Sequence, residues 1–463
     1  MPSSPGQEAP ITEPKIVGRA LVFTYRRLSR FFHEVADRTF AGDITYCSAW
    51  PGLEEVNLQT HFYKCYAEDE RTSELSDEEY DEIITRSCVL RLVPRPQATR
   101  MVTAMYRVID ALTDRSKPDY LLSVTVDNYM TDLLVRICVK KGARPLTFVA
   151  GPVDNTILMT RYGEFNKVRE PDESEVDAAL GVLLDDTARV TYGRRERSYN
   201  FWRQARIFSV WWAKCLFFRA SGWVRRDPLN FRYLMGSLPA RDGQSSLWGY
   251  RCTRFFDHDW AERIDATDKP AFFIPLSYTP EASVSYWLRD TRYIDYENFI
   301  LDLCAALRNQ YLVVIKEHWA ALGARRWPFY ERLKAISGVV IVPAQVNSRD
   351  VMRRVERVLV GAGTAGIEAA LRGKRVVTLD RPYYHVDGHF LTLGSAARIR
   401  ELPALLESFR VPPATELTRR QIVRRVLQTT VVGHMLPDDR IDREENFSAV
   451  SKSLKAYLSR VEA

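Results

Sequence analysis

The sequence predicts an α/β protein built from two doubly wound domains that face a cleft. Two observations carry this prediction. Short strand-like runs alternate with helix-periodic runs in two separate series, the first over about 19–150 and the second over about 269–380, as parallel sheets covered on both faces require. A length of 463 residues, 46% hydrophobic and 27% charged, is also enough for two cores.

The first series opens β-α-β with "RALVFTY", "RRLSRFFHEVADRTF" and "GDITYCSA". A charged stretch and a helical pattern to about residue 113 follow. Then "PDYLLSVTVDN" reads as a buried strand, "YMTDLLVRICVKKGA" as a helix and "RPLTFVAG" as a closing strand. From about 160 to 268 periodicity weakens, and the composition turns aromatic and arginine-rich. The second series runs through "KPAFFIPLS", a helix near 295–308, "YLVVIKE", a helix near 327–336, "GVVIVPA", "RVLVGAG", "TAGIEAALRG" and "KRVVTLD". These patterns divide the chain into a disordered tail (1–17), an N-terminal domain (18–190), an aromatic and basic connection (191–268), a C-terminal domain (269–425) and closing helices (426–463) that pack back across both.

Charge selects no partner, since 66 basic residues against 59 acidic ones leave a mild +7. The seven cysteines are scattered without C-x-x-C. Neither a disulfide framework nor a zinc site is indicated, and a reducing, cytoplasmic setting is expected. The Pro/Ser/Glu-rich start lacks a signal-peptide pattern, and no apolar run approaches the roughly 20 residues that span a bilayer. No recognisable module accompanies the basic residues, which argues against nucleic-acid binding.

Gly361, Gly363 and Gly366 spell G-x-G-x-x-G between strand and helix, with Asp380 closing the next strand, as in a dinucleotide site. An NAD-dependent enzyme is disfavoured, because three strands of the domain come first and too little chain follows to build the second mononucleotide half. What remains is a strand end, glycines without side chains and free N–H groups at a helix start, which suit a phosphate. Gly363, Thr364, Ala365 and Gly366 would hold it, with Thr364 capping the helix and donating its hydroxyl. The bland alternative is a tight turn that packs closely. Lys316, Glu317 and His318 end the neighbouring strand, so that His318 would donate to the phosphate and Lys316 add charge.

Four blocks, "FFIPLSYTPEASVSYW" (272–287), "LVVIKEHW" (312–319), "ISGVVIVPAQVNSRDVM" (336–352) and "VLVGAGTAGIEAALRGKRVV" (358–377), together resemble the capsule polysaccharide biosynthesis proteins. That family includes inverting transferases that take Kdo from CMP-Kdo. The resemblance implies a GT-B-like fold of two Rossmann-like domains, with the acceptor on the N-terminal one and the nucleotide sugar on the C-terminal one. It places donor-phosphate roles on His318 and on Thr364 with its glycines, and a ribose contact on Glu368. Tyr278, Pro280 and Glu281, after Ser277, would wall the nucleotide pocket, although "PEAS" could equally cap a helix. Trp319 stands where the family has proline, and Ser277 where a histidine often follows "FPL". A non-catalytic binding or assembly protein is therefore the second reading.

Inverting transfer needs a general base for the acceptor hydroxyl and positive groups for the leaving phosphate, and this scheme calls for no metal or cofactor beyond the nucleotide-sugar co-substrate. Asp154, Asp127 and Glu164 are the candidate bases, Asp154 being favoured because it follows the last clear strand. Asp127 alternatively caps the helix from Tyr129, and Asp154 alternatively only stabilises its turn. His385, Asp387 and His389 make a weak metal candidate. The stretch 201–226 groups Arg203, Arg206 and Lys214 opposite an aromatic surface as a helix, which suits peripheral contact with the cytoplasmic face of an inner membrane carrying lipid-linked acceptors. An aromatic interdomain core is the alternative.

Overall fold

The computed structural model describes residues 14–50, 52–68, 75–186, 201–224, 229, 247–279, 281–318, 321–323 and 325–462. The expected disordered tail lies outside them as far as residue 13, whereas Ile16 already bridges to Phe40. Pro280 and Trp319 are also outside the described residues.

The first sheet contains β1 (Ala20–Thr24), β2 (Ile44–Ser48), β3 (Val56–Asn57), β4 (Tyr120–Val124), β5 (Arg144–Ala150), β6 (Thr156–Met159) and, from the far end of the chain, β13 (Thr430–Val432). Their order is β13-β6-β5-β4-β1-β2-β3. β1 to β5 pair in parallel, while β6 is antiparallel to both β5 and β13. The second sheet contains β7 (Ala271–Pro275), β8 (Leu312–Lys316), β9 (Val339–Val342), β10 (Arg357–Val360), β11 (Arg375–Thr378) and β12 (Phe390–Thr392), ordered β12-β11-β10-β7-β8-β9 and wholly parallel.

Each sheet is filled on both faces, as parallel sheets require. Leu21 and Phe23 join one core of the first sheet while Ala20 and Val22 join the other. In the second sheet Val313 and Ile315 enter one core and Val314 the opposite one. This two-residue alternation decides where the ends of the strands aim their polar residues.

Both sheets have a topological switch point, where successive crossovers leave on opposite sides of one strand. β1 lies between β2 and β4, and β7 between β8 and β10. Ligands gather beyond the C-terminal ends of strands at such points.

Two expectations change. The region past residue 400, read as helices, also supplies β13, after which the helix Glu444–Glu462 packs on the helix Ser29–Thr39. The closing strand of the first series is followed by β6, so Asp154 sits in a hairpin turn and not after a final strand. No helix among the described residues is long and apolar enough to cross a membrane.

Candidate active site

The C-terminal ends of β10, β7 and β8 lie side by side and bring Gly363–Thr364, Ser277–Tyr278 and Lys316–His318 to one edge of the second sheet. A Cβ built on Gly361 would be 3.8 Å from the Ser277 hydroxyl oxygen, so these two loops touch. Gly363 is exposed, and nothing lies within 4 Å of where its Cβ would be. A ligand can therefore meet the backbone there. Gly366 has the opposite role: a Cβ would meet the Tyr384 hydroxyl at 2.5 Å and Val360 Cγ2 at 2.8 Å. Tyr384, fully buried, donates to the Gly363 carbonyl at 3.0 Å and fixes the turn from beneath. Thr364 holds the N-cap position of the helix Ala365–Leu371 but makes no capping hydrogen bond, a correction to the expected cap.

Alternation sends Lys316 and Glu317 to opposite faces of the second sheet. Glu317 is fully buried and receives Arg325 Nε at 2.8 Å, the Tyr330 hydroxyl at 2.5 Å and the His318 N–H at 2.6 Å. Arg325, itself 2% exposed, then reaches the Thr279 hydroxyl at 2.7 Å and the Ser277 carbonyl. Tyr296 completes the support, accepting the Ser277 N–H at 2.8 Å under the Arg325 guanidinium. This buried network fixes both loops that carry the candidate donor contacts. Sequence reasoning missed Arg325 and the structural role of Glu317, because Arg325 lies outside every helix and strand, where no periodic pattern pairs it with Glu317.

Lys316 is buried beside this network, and burial is the main cause holding its pKa down at about 8, against the opposing pull of Glu317. Burial likewise lowers the pKa of His318 to about 4, so its imidazole is neutral near pH 7. Its ring lies 5.6 Å from that of Tyr278. Glu368 is buried and ion-paired to Arg349 at 2.7 Å, so the carboxylate expected at a ribose already has a partner within the fold. Glu281 precedes the short helix Ala282–Ser285 and accepts the Ser283 hydroxyl at 2.7 Å.

The first sheet offers Asp127 at its own switch point. Asp127 follows β4, and the Tyr25 hydroxyl, following β1, donates to it at 3.3 Å. It is not the helix cap, since Asn128 takes that role in a capping box with Thr131. Tyr25, Thr131 and Asn128 all donate to Oδ1, and Oδ2 receives no hydrogen bond from any described residue. Asp127 is exposed to solvent, although neighbouring protein atoms displace part of its hydration shell. That lost hydration pushes its pKa up to about 6, partly offset by the three donors.

Asp154 is exposed as well, but both its oxygens are on Arg440 at 3.0 and 2.8 Å. Glu164 accepts the N–H groups of Arg161 and Tyr162, the Thr160 hydroxyl and Arg161 Nε. Burial raises its pKa, but these backbone and guanidinium donors outweigh it, and the net shift is downward.

The segment after the Ser277 loop joins the two halves. Arg86, buried in the first half, donates to the carbonyls of Ser285 at 3.1 Å, Leu288 at 2.9 Å and Arg289 at 2.8 Å. Tyr286 enters the first core, and Asp127 and Asp132 add to the burial that raises its phenol pKa. Beside this junction lies a cavity of about 800 Å³, lined by Arg136, Arg161, Glu164, Trp287, Asp380 and Arg381 among others. Asp380 accepts the N–H groups of Arg289 and Arg381, both at 2.8 Å. His385 and Asp387 stand 3.3 Å apart, and no third His, Cys, Asp or Glu joins them among the described residues.

Residues 297–403 match the family model described as capsule polysaccharide biosynthesis protein. The resemblance drawn from the sequence is thereby borne out over its last three blocks. No curated protein matches the chain. Similar solved structures include a UDP-GlcNAc 2-epimerase from Neisseria meningitidis bound to UDP-GlcNAc, with 12% identity over 96% of this chain and 100% of that one, at a TM-score of 0.25. Two others are from Thermosulfurimonas dismutans KpsC. The β-Kdo 2,7-transferase has 11% identity over 96% and 100% of the two chains, at a TM-score of 0.38. The β-Kdo 2,4-transferase has 12% identity over 67% and 79%, at 0.31. At such scores these likenesses carry no argument about activity.

Proposed function

We propose that the chain is an inverting glycosyltransferase of surface polysaccharide assembly that uses a nucleotide-activated donor, CMP-linked and Kdo-like, without a metal ion. The observation that carries this reading is the pairing of two switch points. Exposed Gly363 and half-buried Thr364 with Lys316, His318 and Ser277 offer phosphate contacts on one sheet, and Asp127 offers a base on the other, with the 282–289 segment linking the two. The acceptor is a polysaccharide or lipid-linked hydroxyl. Asp127 Oδ2 takes its proton as the oxygen attacks the anomeric carbon, and the bond from that carbon to the phosphate oxygen breaks. The charge left on the nucleotide meets the Lys316 ammonium, the neutral His318 N–H and the amide and hydroxyl of Thr364.

Nucleotide binding is tested by thermal shift. A CMP-sugar at a hundred times its dissociation constant should add about 2.7 kcal/mol of stability, and His318→Ala should weaken this shift and abolish turnover. Stabilisation by NAD and by no cytidine or uridine nucleotide would overturn the reading.

The pH profile of kcat/KM follows from the two shifted groups. The base works only when ionised, so the rate should rise as pH increases through about 6, where Asp127 loses its proton. It should fall as pH increases through about 8, where Lys316 loses its charge. Lys316→Arg, which keeps its charge to much higher pH, should move only the alkaline limb. A profile that is flat from pH 5 to 9, to within about twofold, would remove both assignments.

A further inference from the structure

The helix Phe201–Val224 presents a continuous apolar stripe to solvent. Trp202 is 79% exposed, Leu216 and Phe217 64% each and Trp223 87%. At 100° per residue these positions, with Val210, Ala213, Ala220 and Val224, fall within about 140° of one another along roughly 33 Å of helix. Arg206, expected opposite the aromatic surface, lies within this face instead, a correction to the expected placement. It is the one charged residue among the face's described side chains, with Ser209 polar beside it. The aromatic interdomain core that the sequence allowed is thus not what these side chains form.

Charge indicates the occupant. Residues 194–226 hold nine Lys or Arg and one acid, Glu196, a net +8 against +7 for all 463 residues. A second copy docking through this face would set two such segments against each other, at a Coulombic cost. An anionic lipid surface instead attracts the cations while the apolar stripe enters the boundary between headgroups and acyl chains, and tryptophans near both ends of the stripe suit that boundary.

We propose that this helix seats the protein on the surface of an anionic bilayer, lying in the plane of the membrane. The inference stands apart from the cleft, and nucleotide binding is measured separately. The test is flotation of the full chain with vesicles of phosphatidylcholine alone or with roughly one third phosphatidylglycerol. The protein should float with the anionic vesicles at least tenfold better, and less well as salt increases. Its tryptophan emission should shift to the blue. Leu216→Glu with Phe217→Glu should reduce flotation at least tenfold while the thermal transition and the nucleotide shift stay unchanged.

Equal recovery with both vesicle types, or undiminished flotation of the double variant, would overturn the proposal. So would a concentration-dependent dimer, or stable capture of an acidic peptide, that the same substitutions abolish in the absence of lipid. Should the double variant fail to fold, the wild-type emission shift and salt dependence decide alone.

Discussion

Asp127→Asn is expected to lower kcat about 10²- to 10⁴-fold, the range that positioned general bases contribute, with little change in donor affinity. The expectation rests on geometry first. Asp127 follows the strand beside β1 at the switch point of the first sheet, and its Oδ1 is held by Tyr25, Asn128 and Thr131 while Oδ2 receives no hydrogen bond from any described residue. A pKa of about 6 makes it a stronger base than an ordinary carboxylate, yet one still ionised near pH 7. Asparagine preserves the shape and cannot take the proton. The acid limb of the pH profile should disappear with the rate. Asp154→Asn is the contrasting variant: its carboxylate is neutralised by Arg440, and its loss should change kcat by less than about threefold. Steady-state rates at saturating donor distinguish the two. Full activity in Asp127→Asn with loss in Asp154→Asn would return the base to the hairpin turn.

Much of this was legible in the sequence because it is periodic. Buried parallel strands and crossover helices repeat locally, so the two series and the G-A-G-T-A-G turn were readable residue by residue. The alternation that ends β8 also placed Lys316 and His318 at the right edge of the sheet. Long-range pairing was not readable. β13 joins the first sheet through Thr430↔Leu158, across some 270 residues, and no local pattern announces such a partner. The same blindness put Asp154 ahead of Asp127. What separates them is Arg440, distant in sequence, which pairs with Asp154, together with the Tyr25, Asn128 and Thr131 donors that hold one oxygen of Asp127 and leave the other without a donor among the described residues. Thr364 occupied its expected position without its expected hydrogen bond, because cap geometry depends on side-chain rotamers that sequence does not fix.

Arg325→Met is expected to cost the second half about 3–5 kcal/mol, the range for removing one partner of a buried ion pair. Glu317 has 0% exposure, and without Arg325 it keeps its donors but loses its ion-pair partner, leaving only Lys316, buried beside it, as a nearby cation. The double variant Glu317→Gln with Arg325→Met should therefore be more stable than Arg325→Met alone, since the unpaired buried carboxylate is removed. Urea unfolding measures this, followed by a probe in the second half because two large cores need not unfold together. A purely structural pair would stop there. Arg325, however, also holds the Thr279 hydroxyl and the Ser277 carbonyl, and Glu317 holds the backbone of His318. Well below the unfolding transition, both variants should raise KM for the donor about tenfold, or about 1.4 kcal/mol, while kcat at saturation and the acid limb set by Asp127 change little. An unchanged KM in a destabilised variant would confine the pair to stability. A fall in kcat with constant KM would mean that the loops it positions act at the transition state and not in holding the donor.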